Sequence, residues 1–156
     1  MTHPTVGHIH LTVADLARAV AFYRDLLGFE ISARYGTSAV FLSGGGYHHH
    51  IALNTWSGTD AKPAPRGHTG MYHVAFLYPD RKSLANALKR LADAEYPLDG
   101  TADHGVSEAI YLRDPDGNGV EIYADRPKDT WTVSSDGMVE MVSLPLDLDE
   151  LLSQAD

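Results

Sequence analysis

The sequence predicts an α+β fold built from two βαβββ modules. Three features predict it: an internal repeat, a change from strand-like to helical periodicity in each copy, and glycine-rich turns between the later strands. The chain has 156 residues, a length typical of one domain or of two small modules that share a core. The first copy of the repeat begins at His8 and reads HIHLTVADLARAVAFYRDLLGFEI. The second copy begins at His73 and reads HVAFLYPDRKSLANALKRLADAEYPL. An offset of 65 residues aligns His8 with His73 and Asp15 with Asp80.

Each copy begins with an alternating strand pattern. After an aspartate that can cap a helix, it continues into an amphipathic helix of about 12 to 15 residues. Apolar residues at helical spacing define one face of each helix: Leu16, Ala19, Val20, Tyr23 and Leu27 in the first, and Leu84, Leu88, Leu91 and Ala92 in the second. Gly28 follows the first helix and Pro97 follows the second, as expected where helices end.

Further strand-like runs follow each helix. The first copy continues as SAVFLSGGGYHHHIALNTW and the second as EAIYLRDPDGNGVEIYAD, so VFL corresponds to IYL and IAL to VEI. The modules are therefore expected at about residues 5–56 and 71–125, in one domain over residues 1–128. Residues 57–70 are rich in proline and glycine and predict a linker. Residues 129–156 predict a C-terminal extension with a short acidic helix, whose apolar face packs on the body or on a partner chain.

Composition excludes several classes of function. The net charge of −9 disfavours nucleic acid as a partner, because phosphate binding needs clustered Lys and Arg. No apolar run approaches the ~20 residues that span a bilayer, and the N-terminal residues do not resemble a secretory signal. Cysteine is absent, which excludes disulfides and a thiol nucleophile. A cytoplasmic protein without a membrane partner is expected.

Glu121 stands out because a carboxylate between the apolar residues Val120 and Ile122 of a strand costs stability unless something pairs with it. In the repeat, His8 corresponds to His73, and the register of the final strands makes Glu121 equivalent to Ala52. If the modules pair about a pseudo-two-fold axis, these four positions converge. Two imidazoles and one carboxylate form the facial triad typical of non-haem Fe(II) enzymes that handle oxygen. The repeat therefore predicts a metal site at His8, His73 and Glu121.

These residues resemble the vicinal oxygen chelate superfamily and, within it, the type I extradiol ring-cleavage dioxygenases. The resemblance covers about residues 6–125, and its most specific part runs from His104 through GVSEA, Ile110, Tyr111, LR, DPDG and NGV to Glu121. Ala102 departs from the residues usual two positions before the histidine. The strings YHHH and DPDGNGVEIYADRP are similar to those of bacterial catechol 2,3-dioxygenases, which usually have two such domains. The superfamily fold implied is an open barrel of paired βαβββ modules around a metal.

The resemblance implies a function and roles for individual residues. Fe(II), or Mn(II), is expected on His8, His73 and Glu121, with a catechol-type aromatic diol and O2 as substrates. His49 is expected to act in acid–base chemistry, Tyr111 to hydrogen-bond a substrate oxygen, and His104 to support the substrate. A homodimer is expected, because a one-domain enzyme must cover surfaces that a second domain would cover.

Several alternatives stay open at the level of sequence. Among three consecutive histidines, strand alternation would let His48 and His50 face the site instead of His49. A glyoxalase-like isomerase or lyase usually has a fourth ligand where this chain has Ala52. A fosfomycin-type transferase shares the two histidines and the glutamate but needs a cationic pocket, and few Lys or Arg lie near these motifs. A binding module without catalysis would lack the triad.

Overall fold

The computed structural model describes residues 2–156, so Met1, the first residue of the predicted domain, lies outside the described part of the chain. The chain divides into two compact units. The first comprises Met1–His68 together with the short stretch Asp114–Gly117, and the second comprises Thr69–Arg113 and Asn118–Asp156. Among residues 2–156, no helix combines the length and the apolar character needed to cross a membrane.

The first unit contains the first predicted module. Its strands are β1 (Ile9–Thr12), β2 (Glu30–Tyr35), β3 (Ala39–Ser43) and β4 (Ile51–Asn54), in the sheet order β1-β4-β3-β2. β1 is parallel to β4, while β3 is antiparallel to both β4 and β2. A helix connects β1 to β2, so the order of elements is the βαβββ order that the sequence predicts.

The helix of this module changes its pitch halfway. Asp15 caps its N-terminus by accepting a hydrogen bond from the backbone N–H of Arg18. The α-helix α1 (Leu16–Val20) then continues as a wider π-helical segment over Ala21–Leu26. Because the wider turn rotates the side chains that follow it, Phe22 is buried beside Tyr23, whereas a regular α-helix predicts only Tyr23 on the apolar face.

The turn Asp114–Gly117 packs within the first unit, although it lies between two strands of the second. Asp114 is buried and accepts a 2.8 Å hydrogen bond from the hydroxyl of Tyr23. Asp116 accepts a 2.8 Å hydrogen bond from the guanidinium of Arg18. Two carboxylates of the DPDG motif therefore have a structural task, which is to anchor this turn on the first helix.

The second unit contains the second module. Its strands are β5 (Val74–Tyr78), β6 (Leu98–Asp103), β7 (Ser107–Arg113) and β8 (Gly119–Asp125), in the sheet order β5-β8-β7-β6. Helix α2 (Arg81–Asp93) is capped by Asp80, whose side chain accepts a hydrogen bond from the N–H of Ser83. This helix buries Leu84, Leu88 and Leu91 of the predicted apolar face, together with Ala85 and Ala87. Ala92, predicted on the same face, is exposed because it lies in the last turn of the helix. The chain therefore has the predicted α+β fold of two βαβββ modules, each with one four-stranded sheet.

The strand registers of the two sheets confirm that Glu121 and Ala52 are equivalent. Glu121 lies opposite Tyr111 on β7 and opposite Ala75 on β5. Ala52 lies opposite Phe41 on β3 and opposite His10 on β1. Since His10 and Ala75 are related by the repeat offset, the same sheet position carries a carboxylate in the second module and a methyl group in the first.

The C-terminal extension is part of the second unit. A short 3-10 helix over Lys128–Thr130 begins it, and helix α3 (Leu148–Leu152) comes near its end. Leu151 of α3 is fully buried, and α3 contacts α2. Arg81 of α2 binds two carboxylates, the buried Glu108 at 2.6 Å and Glu150 of α3. Leu151 and the ion pairs of Arg81 therefore help to hold the extension in place.

Candidate functional site

His73 and Glu121 lie side by side in the second unit. His73 directly precedes β5 and Glu121 lies in β8, the strand paired with β5. The Nε2 atom of His73 is 2.9 Å from Oε2 of Glu121, and the two side chains are 28% and 12% exposed. The imidazole nitrogen and the carboxylate oxygen therefore lie at the same point of the sheet. Both belong to ligand types that divalent transition metals accept.

The backbone of β8 holds His73 close to Glu121. A Cβ atom on Gly119 would lie 2.2 Å from the carbonyl oxygen of Tyr72 and 3.1 Å from Cβ of His73. Only glycine fits at this distance. Among the described residues 2–156, the Nδ1 atom of His73 is buried and has no hydrogen-bond partner, which is a desolvation cost that the contact at Nε2 does not offset.

Tyr111 lies next to the pair His73–Glu121. It lies opposite Glu121 in the β7–β8 pairing, and its ring centroid is 5.8 Å from that of His73. Burial raises the pKa of the Tyr111 hydroxyl, and the charge of Glu121 and a hydrogen bond to it raise that pKa further. The phenol therefore stays protonated at neutral pH and can donate one hydrogen bond.

His104 is the next residue in this chain of contacts. Its Nε2 atom lies 2.5 Å from the hydroxyl of Tyr111, and its Nδ1 atom lies 2.6 Å from the main-chain carbonyl oxygen of Val142. Since a carbonyl can only accept, Nδ1 carries a proton. In the neutral ring, Nε2 is then an acceptor for the Tyr111 proton.

A cavity of about 450 Å³ opens beside these residues. Three of the predicted site residues line it: His73, His104 and Tyr111. Arg113 and Asp99 line it as well and form an ion pair of 2.9 Å. Ser143, from the C-terminal extension, completes part of the wall. The volume is in the range typical of pockets for small molecules.

The first unit holds His8 and His49 together. His8 directly precedes β1, and its ring centroid is 4.3 Å from that of His49. The ring centroid of Phe41 lies 5.0 Å from that of His49. Burial lowers the pKa of His49, and the charges of neighbouring imidazoles, with His8 first among them, lower it further.

The structure distinguishes the three consecutive histidines. All three precede β4, which begins at Ile51, so strand alternation does not apply to them. His50 points elsewhere, because its Nδ1 atom accepts a 3.1 Å hydrogen bond from the backbone N–H of Gly44. The Nδ1 atom of His48, which is exposed, lies 2.7 Å from Nδ1 of His49. His49 is the one of the three whose ring lies nearest to His8.

The complete triad stays a prediction. His8 belongs to the first unit and His73 and Glu121 to the second. Within the described residues 2–156, no group of three or more His, Asp or Glu side chains is arranged to hold a metal.

The sequence did not predict the structural roles of four residues, namely Gly119, Asp114, Asp116 and Val142. The packing role of Gly119 had a signal, because a glycine in a strand, two residues after the Asp116–Gly117 turn, suggests close backbone approach. The anchoring roles of Asp114 and Asp116 had no signal beyond the turn itself, since their partners are distant in sequence. The contact of Val142 with His104 uses a main-chain carbonyl, which no side-chain pattern reveals.

Similar proteins include enzymes of different activities. A catechol-2,3-dioxygenase of Bacillus subtilis (strain 168) is 39% identical over 151 residues, which are 96% of this chain and 52% of that protein. This chain thus spans about half the length of that relative. A metallothiol transferase FosB of Staphylococcus haemolyticus is 29% identical over 80% of this chain and 86% of its own length.

A solved structure and a family match agree on the fold. The crystal structure of a glyoxalase/dioxygenase from Nostoc punctiforme has a TM-score of 0.68 and 20% identity, covering 79% of this chain and 92% of its own. Residues 5–122 match the Glyoxalase/Bleomycin resistance protein/Dioxygenase superfamily, which accounts for both modules and for the segment that carries His73, Tyr111 and Glu121. The chain therefore belongs to this superfamily.

Proposed function

We propose that this protein is an Fe(II)-dependent extradiol dioxygenase that opens a catechol-type aromatic diol with O2. One observation carries the proposal: the close pair His73–Glu121 lies next to the hydrogen-bonded pair Tyr111–His104, beside a cavity of about 450 Å³. A potential metal pair next to a neutral proton donor suits the binding of a diol. The 39% identity to a catechol-2,3-dioxygenase supports the same reaction class.

The proposed metal ligands are His8, His73 and Glu121, with Fe(II) as the metal and Mn(II) as the alternative. The donor set fits, because an imidazole and a carboxylate 2.9 Å apart would both gain a partner from a cation placed between them. When bound, the metal would supply a Lewis-acidic centre that chelates the diol and activates O2.

Tyr111 and His104 would orient the diol. The Tyr111 hydroxyl lies 2.5 Å from Nε2 of His104, and when it donates its proton there, the lone pairs of the phenol oxygen are free to accept a hydrogen bond from a substrate hydroxyl. This contact fixes one edge of the ring in the cavity, and fixed orientation lowers the barrier of a reaction between bound partners. His104 acts through Tyr111 in this arrangement.

His49 is the proposed acid–base residue. Its ring contacts those of His8, a proposed ligand, and Phe41, and it is partly shielded from water. A neutral imidazole there would accept a proton from the diol and return it later in the reaction. The exposed His48, hydrogen-bonded to His49, connects this proton to solvent.

A fosfomycin-type transferase is the second candidate, since a FosB relative is 29% identical. That chemistry needs cationic side chains that are free to bind a phosphonate. In the cavity, the guanidinium of Arg113 is paired with Asp99 at 2.9 Å. This neutralised charge favours an aromatic diol over a phosphonate. A homodimer is proposed for the assembly.

Oxygen uptake tests the proposal. The protein is loaded with Fe(II) without air and given a panel of catechols while oxygen and the yellow ring-opened product are monitored. Uptake with yellow product is expected, and protein kept free of metal serves as the control. Absence of uptake with one metal bound per chain would favour the transferase or isomerase activities.

A further inference from the structure

A short piece of the C-terminal extension, residues 141–144, forms hydrogen bonds with the end of β6. The N–H of Leu144 donates to the carbonyl of Asp103, and the N–H of Asp103 donates to the carbonyl of Leu144, both at 2.9 Å. The N–H of Val142 donates to the carbonyl of His104 at 3.3 Å. Segment 141–144 therefore adds a short strand-like edge beside the residue that contacts Tyr111.

This segment determines which nitrogen of His104 carries the proton. The carbonyl of Val142 accepts from Nδ1 at 2.6 Å, so the neutral ring presents a bare Nε2 to the Tyr111 hydroxyl. Without that carbonyl, nothing holds the proton on Nδ1, and the neutral ring takes its common tautomer in water, which has the proton on Nε2. Such a ring would have no lone pair for the Tyr111 proton.

Tyr111 has two acceptors within reach for one proton. One is Nε2 of His104, and the other is the carboxylate of Glu121. When the proton goes to His104, Glu121 loses a competing partner and keeps its lone pairs available. When His104 cannot accept, the hydroxyl turns to the carboxylate, and a cation at Glu121 must displace that hydrogen bond.

Gly105 permits the close approach of segment 141–144. It adopts a positive φ of +74°, and a Cβ atom at this position would lie 3.2 Å from Cγ2 of Val142. A larger side chain would therefore strain the backbone and press on the residue that supplies the carbonyl. Gly137, which also has a positive φ, has open space around it within 4 Å among the described residues and provides a matched comparison.

We propose that segment 141–144 is a positioning element of the site: the Val142 carbonyl fixes the His104 tautomer, which directs the Tyr111 proton away from Glu121 and leaves Glu121 available to the metal. The C-terminal extension thus acts on metal affinity without contributing a ligand. The part of this inference that concerns metal rests on the proposed function, whereas the tautomer does not depend on it.

The first test is nitrogen-15 NMR of the full-length, metal-free protein, which distinguishes the two imidazole tautomers. His104 is expected in the Nδ1–H form. Leu144→Pro removes the N–H bonded to Asp103 and should shift His104 toward the Nε2–H form. Met141→Pro is the matched control, because both side chains are exposed, at 55% and 66%, and the N–H of Met141 has no hydrogen-bond partner among residues 2–156.

Gly105→Val disturbs the same contact from the other side, with Gly137→Val as its control. The expected result is a tautomer shift in Gly105→Val and none in the control. An Nε2–H tautomer in the wild-type protein would overturn the proposal, as would an unchanged tautomer in variants whose Asp103 amide has become exchangeable. Because these spectra need neither metal nor turnover, they decide the inference even if the proposed reaction is wrong.

Metal affinity provides the second readout, with Mn(II) as the probe. Leu144→Pro should weaken binding by about tenfold, the size typical when a group behind a ligand is lost. Adding Tyr111→Phe to this variant removes the competing hydroxyl and should restore the affinity to that of Tyr111→Phe alone. Equal weakening with and without Tyr111→Phe would indicate a purely structural effect and would contradict the proposed route.

Discussion

The Nε2 atom of His73 lies 2.9 Å from Oε2 of Glu121, although the two residues are 48 positions apart in the sequence. His73 directly precedes β5, and Glu121 lies in β8. The parallel pairing of β5 with β8 brings them together, and Gly119 removes the side chain that would separate them. The contact between His73 and Glu121 explains how a carboxylate can occupy a largely buried strand. Within the second unit, the carboxylate has the imidazole of His73 and the hydroxyl of Tyr111 as partners, and the proposed cation would offset its charge.

Glu121→Gln should weaken divalent-metal binding by at least about a hundredfold while leaving the fold intact, because the amide keeps the shape but loses the charge that binds the cation. Isothermal titration with Fe(II) under nitrogen, or with Mn(II), measures the change. Glu140→Gln, at an exposed position of the C-terminal extension, is the control. Equal affinity in the two variants would exclude Glu121 as a ligand.

Gly119→Ala should displace His73 and destabilise the second unit, since the new methyl group would lie 2.2 Å from the carbonyl oxygen of Tyr72. We expect a loss of about 2–4 kcal/mol in the free energy of unfolding, the range for strain in a packed structure. Gly100→Ala is a matched control, because its Cβ would meet no atom of the described residues within 4 Å. Chemical denaturation compares them, and similar stability in both variants would contradict the packing role.

His49→Ala should leave metal affinity within about threefold of the wild-type value and lower the rate of ring opening by about 10²–10⁴-fold, the range for loss of a general acid–base group. Anaerobic metal titration and steady-state rates measure the two effects separately. His50→Ala is the comparison, because His50 is bonded to the backbone of Gly44 instead. Loss of metal from His49→Ala would show that His49 is a ligand and not an acid–base residue.

Tyr23→Phe should destabilise the protein by about 1–3 kcal/mol, because the buried carboxylate of Asp114 would lose the hydroxyl that donates to it. Tyr35→Phe, at a residue that is largely exposed, should change the stability little. Thermal unfolding of the metal-free protein measures both. A Tyr23→Phe variant as stable as Tyr35→Phe would mean that the DPDG turn is not anchored through this bond.

The buried Tyr78 should make the protein less stable at alkaline pH. Burial raises its pKa to about 12, while nearby Arg90 opposes the shift. In the unfolded chain the phenol ionises near its ordinary pKa of about 10. The native state therefore binds one proton more than the unfolded state between these values, and its stability falls as the pH rises through that window. Tyr78→Phe should reduce this slope in chemical denaturation, and an unchanged slope would assign the pH dependence to other groups.

Much of the fold was predictable because it follows local rules. The change from alternating to helical periodicity located the strands and helices of both modules, and the aspartate caps marked where the helices begin. The alignment of the final strands, IAL with VEI, then predicted the equivalence of Glu121 and Ala52, which the strand registers confirm. A repeat carries spatial information that a single motif lacks.

Other features depend on contacts that no local rule contains. The π-helical turn that buries Phe22 beside Tyr23 results from packing, and the sequence around it reads as an ordinary helix. The alternation rule would have favoured His48 and His50, but the three histidines precede the strand and follow loop geometry instead. The bond from His104 to Val142 is made by a main-chain carbonyl, so the identity of residue 142 does not disclose it.

The most direct test of the proposed function is the fate of labelled oxygen. The Fe(II)-loaded protein is given isotopically labelled O2 with the catechol that supports the fastest uptake, and the product is analysed by mass spectrometry. An extradiol dioxygenase should deliver both labelled atoms into one ring-opened product without an added reductant. A catechol left intact, or a product without labelled oxygen, from protein that holds its iron would contradict the assignment.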